Sequence, residues 1–303
     1  MVQPRRGVIP PQPRRPERYR PPRGVVIRRR LVAVGVLLAA LIGLGFAIAG
    51  IRGSGQKKTQ TTALTAPRPF RIVFPEGFTR REMAARVKAV AAIAAHERGK
   101  TPALNERGYL AATTGKRLIS GFGRRAFEGF LFPATYQFTR RTTSAQLVAA
   151  QLKAFRRAWA TVDLGYARSR QLTPYDVLTI ASMVEKEAVA PDERAKIARV
   201  IYNRLHDRMK LGIDATIRYG FNVPGTQSLL ESQLTSNSPY NTRVRFGLPP
   251  TPIANPGLAS IQAAAHPAPG PWLYYVAAPD KVHSFFTASA AAFESYKRTH
   301  GYK

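Results

Sequence analysis

The order of elements written in this chain predicts an α+β fold in which several helices carry a minor antiparallel sheet and long loops. Two observations carry that expectation. Apolar residues recur at helical spacing in separate segments from Thr79 onward, whereas residues 211–256 lose the period and fill with Gly, Pro, Asn and Ser. Near the C-terminus, two short apolar-aromatic runs, WLYYVAA and HSFFT, have the length and composition of paired strands. A third observation sets the N-terminus apart: one long uncharged run precedes everything that looks foldable.

Residues 1–30 hold ten arginines against Glu17 and few apolar residues before Val25, a composition that cannot bury a core. From Leu31 to Ile51 the chain runs 21 residues without a charge. At about 1.5 Å per residue that is enough to cross a hydrocarbon layer of about 30 Å, and a transmembrane helix is expected. Arg28, Arg29 and Arg30 abut it, so the positive-inside bias keeps residues 1–30 cytoplasmic and places the rest outside. The Ala47-Ile48-Ala49 step would also suit signal-peptide cleavage, although the run exceeds the usual h-region of about 7 to 15 residues. Residues 52–68 are polar, rich in Gly, Ser, Thr and Pro, and read as a tether.

The exported part opens with a strand, Phe70 to Phe74, and a helix announced by the capping-box pair Thr79 and Glu82, with Met83, Val87, Val90 and Ile93 following. This β-α unit is assigned to a small region, residues 69–140. Residues 141–303 form the main domain. There, a helix from Ser144 puts Leu147, Val148, Leu152, Phe155 and Trp159 on one face. The next takes Thr173 as its cap and Pro174 as its first residue and runs to about Val189. A fourth starts at Pro191 with Asp192 and Glu193 in its first turn. Residues 211–256 are expected to hold only short strands and turns. A small helix over Leu258–Ala265, the two strands, and a helix from Ala288 to about Arg298 complete the chain.

The formal net charge is +30, of which residues 1–30 supply +9, so the basic character extends along the whole chain. Such a balance suits a polyanionic partner: an anionic membrane surface, wall polymers or nucleic acid. A general arginine bias explains it equally well. The inferred topology leaves only the 30-residue tail with access to nucleic acid, so none is expected as a partner. There are no cysteines, which excludes disulfides and thiolate chemistry. No P-loop, dinucleotide fingerprint, Gly-x-Ser-x-Gly elbow or His-Glu-x-x-His pattern is present, so neither a cofactor nor a metal is expected.

Acidic residues number only 17, so a carboxylate on an apolar element stands out. Glu185 and Glu187 lie in PYDVLTIASMVEKEAV and border its buried face. A carboxyl group against apolar side chains holds its proton to higher pH, the state a general acid needs. Periodicity alone favours two surface glutamates flanking Lys186. Two positions apart, they point to different faces and are not a facing pair. His283 is the other titratable candidate, although a lone histidine is more often a structural hydrogen-bonding group. Phe130, Phe132, Tyr136, Tyr202, Tyr219 and Tyr240 carry aromatic faces able to stack on sugar rings or bases, with core packing the commoner use for most of them. Asn203, Arg204, Asp214, Asn241 and Asn255 offer hydrogen bonds to sugar hydroxyls and acetamido groups, with loop capping as the equal alternative.

Taken together, EGFLFPATY at 128–136, IASMVEKEA at 180–188, VIYNRL at 200–205, SPYNT with GLPPTPIANPG at 238–257, AAAHP at 263–267 and LYYV at 273–276 resemble the YceG-like (MltG) family of lytic transglycosylases. The resemblance implies an inner-membrane enzyme that cuts the MurNAc-GlcNAc bond of peptidoglycan glycan strands, leaves 1,6-anhydro ends and limits strand length. It also implies the membrane, the glycan strands and cell-wall synthesis proteins as partners. The family's catalytic glutamate falls in Glu-Lys-Glu, and the role is carried to Glu187 with Glu185 in reserve. Two departures stand out. Only residues 69–140 occupy the place of a LysM-like module, as a reduced remnant, and Gly212 and Ala215 stand where the family has Gln and Pro.

Overall fold

A computed structural model of the protein describes residues 69–302, Lys100 excepted. The basic tail, apolar run and tether expected over residues 1–68 lie outside the described residues. The described residues belong to one compact unit, Pro67–Lys303, and among them no helix is long and apolar enough to cross a membrane.

Strand β1, Phe70–Val73, leads into helix α1, Arg80–Arg98. The capping box forms as its sequence requires: Glu82 N–H donates to Thr79 Oγ1 at 3.2 Å, and Thr79 N–H donates to Glu82 Oε2 at 2.7 Å. Met83, Ala84, Val87, Ala91 and Ala94 form the buried face. Ile93 does not join them and is 55% exposed, because ten residues at about 100° each carry it off the line of Met83. Helix α2, Glu106–Ala112, is followed by a hairpin of β2, Arg117–Ile119, and β3, Gly123–Arg125, and then by β4, Thr135–Phe138. β4 returns antiparallel to β1, setting Phe138 opposite Phe70.

Two apolar clusters follow from these segments. The first gathers Ile72, Phe74, Met83, Val87, Tyr109, Leu131 and Phe138 with Leu147 and Val148 from helix α3, Ser144–Trp159. The second surrounds helix α5, Pro174–Glu187, and also takes Phe122, Phe130 and Phe155. Helix α3 and the segment 119–131 feed both. Residue 140, where the sequence suggests a boundary, therefore lies between β4 and α3, whose side chains share the first cluster.

Helix α4, Gly165–Ser169, precedes α5, which sits at the centre: Val177 through Val184 are buried without interruption. Each large aliphatic residue so placed contributes about 1.5 to 3 kcal/mol of burial. The hydroxyls in that run are satisfied locally, Thr179 on Tyr175 O at 2.8 Å and Ser182 on Thr179 O at 2.7 Å. Ser182 Oγ also accepts the Ile253 N–H at 3.0 Å, tying the proline-rich loop to the helix. The helix ends at Glu187, two residues short of the expected end, where Ala188 turns extended.

The fourth expected helix is divided in two. Pro191–Glu193 form a single 3-10 turn, and helix α6 runs over Arg194–His206. Residues 211–256 depart further from expectation, since they contain helix α7, Asp214–Phe221, and the one-turn α8, Glu231–Leu234. The turn formers mask α7: Gly212 precedes it and Asn222 ends it in the left-handed conformation, while Thr216 and Ile217 still make a buried helical face. Helix α9, Leu258–Ala265, packs on α5 and α6. Strands β5, Tyr274–Ala277, and β6, Ser284–Thr287, pair antiparallel, and α10, Ala290–Thr299, covers them. The described strands thus form three separate two-stranded antiparallel ladders rather than one sheet.

Candidate active site

Glu187 is the last residue of α5, so its side chain leaves the core where the helix stops. Tyr275 of β5 donates its hydroxyl to Glu187 Oε2 at 2.9 Å. Burial holds the Glu187 carboxyl above the ordinary carboxylate range; the Tyr275 hydrogen bond opposes this and the negative charge of Asp214 adds to it. The group opens into a cavity of ≈850 Å³ whose lining includes Arg80, Glu128, Asp214, Tyr219 and Tyr240. One wall thus comes from α1 in the N-terminal region, and others come from α7 and the loop after α8.

A second carboxyl on this cavity, Glu128, is more deeply buried, at 6% exposed. Its Oε1 accepts the Arg80 N–H at 2.9 Å and the Asn255 side-chain N–H at 2.8 Å, while Oε2 accepts the Tyr219 hydroxyl at 3.1 Å. The Arg80 N–H is one of the unpaired donors at the start of α1, a favourable place for a carboxylate. Burial nonetheless pushes the Glu128 carboxyl up to about 7 against these donors. Gly129 follows with φ +90°, and a Cβ there would stand 2.7 Å from Pro252, so the EGF turn and the proline loop close on each other only through a glycine. In the sequence, Glu128 falls within EGFLFPATY with no local pattern that marks it as a site residue. The signal available is a lone carboxylate between Phe127 and Phe130 in an acid-poor chain.

Glu185 faces elsewhere. Its Oε2 accepts the Gly257 N–H at 3.0 Å, and it raises the pKa of nearby Glu76, whose own burial is the larger cause. A Cβ at Gly257 would lie 1.8 Å from Glu76 Oε1, so a side chain there would push the Glu76 carboxyl aside. Glu185 does not line the cavity that Glu187 opens into.

Among the remaining sequence candidates, Asp214 and Tyr240 line the same cavity as Glu187. Asp214 also forms an exposed ion pair with Arg243 at 2.6 Å. Asn255 is buried beside them: its amide donates to Phe78 O and Glu128, and its Oδ1 accepts the Leu131 N–H at 2.9 Å. Asn241 is buried in its own loop, donating to Leu234 O at 2.9 Å and Ser236 O at 2.8 Å. The three residues on α6 bind backbone: Tyr202 the Ala264 carbonyl, Asn203 the Trp272 carbonyl and Arg204 the Leu273 carbonyl. Tyr202 and Asn203 border a different cavity, of ≈650 Å³. His283 is exposed on the β5–β6 turn, where Asp280 at 2.7 Å raises its pKa. Among the described residues no cluster of three or more His, Asp or Glu side chains stands in a metal-binding arrangement.

The YceG-like family model matches residues 51–299. The chain belongs to the YceG-like family. YceG-like relatives include a Bacillus subtilis protein named endolytic murein transglycosylase, 36% identical over 154 residues, which make up 51% of this chain and 42% of that one. A Streptococcus pneumoniae protein of the same name is 36% identical over 160 residues, 51% of this chain and 28% of the relative. The chain thus matches less than half the length of either curated relative. Among solved structures, a yceG-like protein of Listeria monocytogenes superposes with a TM-score of 0.61 at 27% identity, covering 75% of this chain and 76% of that one. Several of the strings that resemble the YceG-like family, EGFLFPATY, IASMVEKEA and SPYNT, each bring a residue to the ≈850 Å³ cavity.

Proposed function

We propose that this chain is a membrane-anchored endolytic lytic transglycosylase that cuts the MurNAc-GlcNAc bond of peptidoglycan, with Glu187 as its acid/base and residues 31–51 as its anchor. The observation that carries the reading is a desolvated carboxyl at the mouth of a helix, facing a cavity in a chain whose named relatives are murein transglycosylases. Burial keeps the proton on Glu187 at a pH where an exposed glutamate has lost it. Tyr275 fixes the orientation of the carboxyl by bonding Oε2.

In the proposed step Glu187 gives its proton to the glycosidic oxygen as the bond to C1 of MurNAc breaks. The carboxylate so formed takes the proton of the C6 hydroxyl, and O6 closes on C1 to give the 1,6-anhydro ring. Atoms balance without water, and Glu187 ends protonated. Asp214, whose charge helps hold the proton on Glu187, lines the same cavity and in this step would favour the positive charge that develops at C1. Glycan strands, the bacterial membrane and cell-wall synthesis proteins are the partners this role entails, with the folded part outside the membrane and the N-terminus in the cytoplasm. Digestion of purified peptidoglycan by the full chain, followed by mass spectrometry, should release anhydro-muropeptides. Products with only reducing ends would replace this reading by a hydrolase, and no release would sink it.

A further inference from the structure

Tyr219 and Tyr240 meet edge to face with ring centroids 5.1 Å apart, and both line the ≈850 Å³ cavity while remaining partly exposed. Their hydroxyls are anchored. Tyr219 donates to Glu128 at 3.1 Å, and Tyr240 pairs with Thr251 Oγ1 at 2.9 Å. Gly220 brings the two segments as close as a backbone allows, since a Cβ there would stand 2.8 Å from the Cβ of Tyr240. Glu128 is itself held from several sides: Oε1 accepts from the Arg80 and Asn255 donors, and Oε2 accepts from Tyr219. Every oxygen is committed to a protein donor, which suits a fixed support rather than a group that trades protons with a substrate. Three segments distant in sequence thus set the angle between two rings on the cavity that Glu187 also faces.

We propose that Tyr219 and Tyr240 form a stacking subsite for one N-acetylated pyranose ring of a glycan strand, and that Glu128 is the positioning residue that holds Tyr219 in it. This rests on the reading of the chain as a glycan-cleaving enzyme and adds where a sugar ring sits. The C–H face of a pyranose is apolar and packs on an aromatic face, as other apolar groups do. A ring locked by its hydroxyl before the sugar arrives loses little freedom on binding.

Binding is measured apart from cleavage. Uncrosslinked disaccharide-peptide strands titrated calorimetrically into the full chain carrying Glu187→Gln give a Kd without turnover. In that background Tyr219→Ala or Tyr240→Ala should raise Kd about five- to tenfold. Tyr219→Phe and Glu128→Gln disturb the same hydrogen bond, and each should raise Kd about threefold, with no further loss when combined. With Glu187 intact, those two substitutions should raise KM more than they lower kcat. Ring-removal variants that bind within about twofold of their parent would overturn the subsite. Losses from Glu128→Gln and Tyr219→Phe that multiply would overturn the positioning role. Where Glu128→Gln does not fold, Tyr219→Phe alone carries the test of anchoring, through the same Kd. Strands that bind through both rings but are never cut would refute the activity and leave the subsite standing.

Discussion

The region around Glu128 and the region around Glu187 open on one cavity, and burial raises the pKa of both carboxyls, yet they are equipped for different work. Glu128 accepts from backbone, amide and phenol donors, with hydrogen bonds on both of its oxygens. Glu187 has a single side-chain donor, Tyr275, on Oε2, and its other oxygen accepts no hydrogen bond from the described residues. The difference teaches that desolvation alone does not mark a general acid. A carboxyl becomes a proton donor when burial raises its pKa and its hydrogen bonding leaves one oxygen uncommitted.

The largest expected effect breaks the comparison on the Glu187 side. Glu187→Gln keeps the size and the Tyr275 contact but has no proton to give, so release of anhydro-muropeptides should fall by about a hundredfold or more. A loss below tenfold would move the acid elsewhere. In the proposed mechanism, activity needs Glu187 protonated. Its raised pKa therefore predicts that cleavage persists above the ordinary glutamate range and declines as pH rises through the raised value. A pH profile of kcat/KM that already declines around pH 4 to 5 would contradict the desolvated site.

On the supporting side, Asn255→Ala is the most damaging single change. It removes buried bonds to Phe78, Glu128 and Leu131 at once, leaving a buried N–H and a carboxylate short of donors. Chemical denaturation should show a loss of about 3 kcal/mol, and a cost under about 1 kcal/mol would mean that the loop relaxes freely.

Glu128→Gln tests the electrostatics of the same region through pH. The folded-state carboxyl titrates at about 7, above its ordinary 4.5, so the native state binds the extra proton between those values. Its contribution is fully present below about pH 4.5 and is lost as pH rises through about 7, with a ceiling of roughly 3 kcal/mol. Stability of the unsubstituted chain relative to Glu128→Gln should therefore decline across that window. A difference that is flat in pH would show that Glu128 is not desolvated in solution.

How much of this was legible follows from which interactions are local. Helix starts at Thr79, Thr143 and Thr173 depend on residues three apart, and the two of them read from the sequence, Thr79 and Thr173, sit where their capping residues put them. Helix α7 was hidden because its cue is a few buried positions set between turn formers. Glu187 could be placed on an apolar border from its spacing, but nothing local distinguishes its surroundings from those of Glu185, which are supplied by Tyr275 and Gly257 far along the chain. Glu128 escaped for the same reason, since its partners at 80, 219 and 255 are all distant. Asn241 and Asn255 illustrate a converse limit. Both looked able to bind sugars, and their amides are used inside the fold.

The smallest effect sharpens the comparison most, because it concerns a carboxyl only two residues from Glu187. Glu185 turns away from the cavity and accepts from Gly257 N–H, the first residue leading into α9, beside the carboxyl of Glu76. Glu185→Gln keeps an oxygen to accept that bond and removes a negative charge next to another. Cleavage should stay within about threefold of the unsubstituted chain, with stability changed by less than about 1 kcal/mol. The Glu76 carboxyl should then titrate lower, since one of the two causes holding it up has gone. A hundredfold loss on Glu185→Gln with the fold intact would reverse the assignment within the Glu-Lys-Glu string. It would also show that the cavity facing Glu187 is not where the glycan is cut.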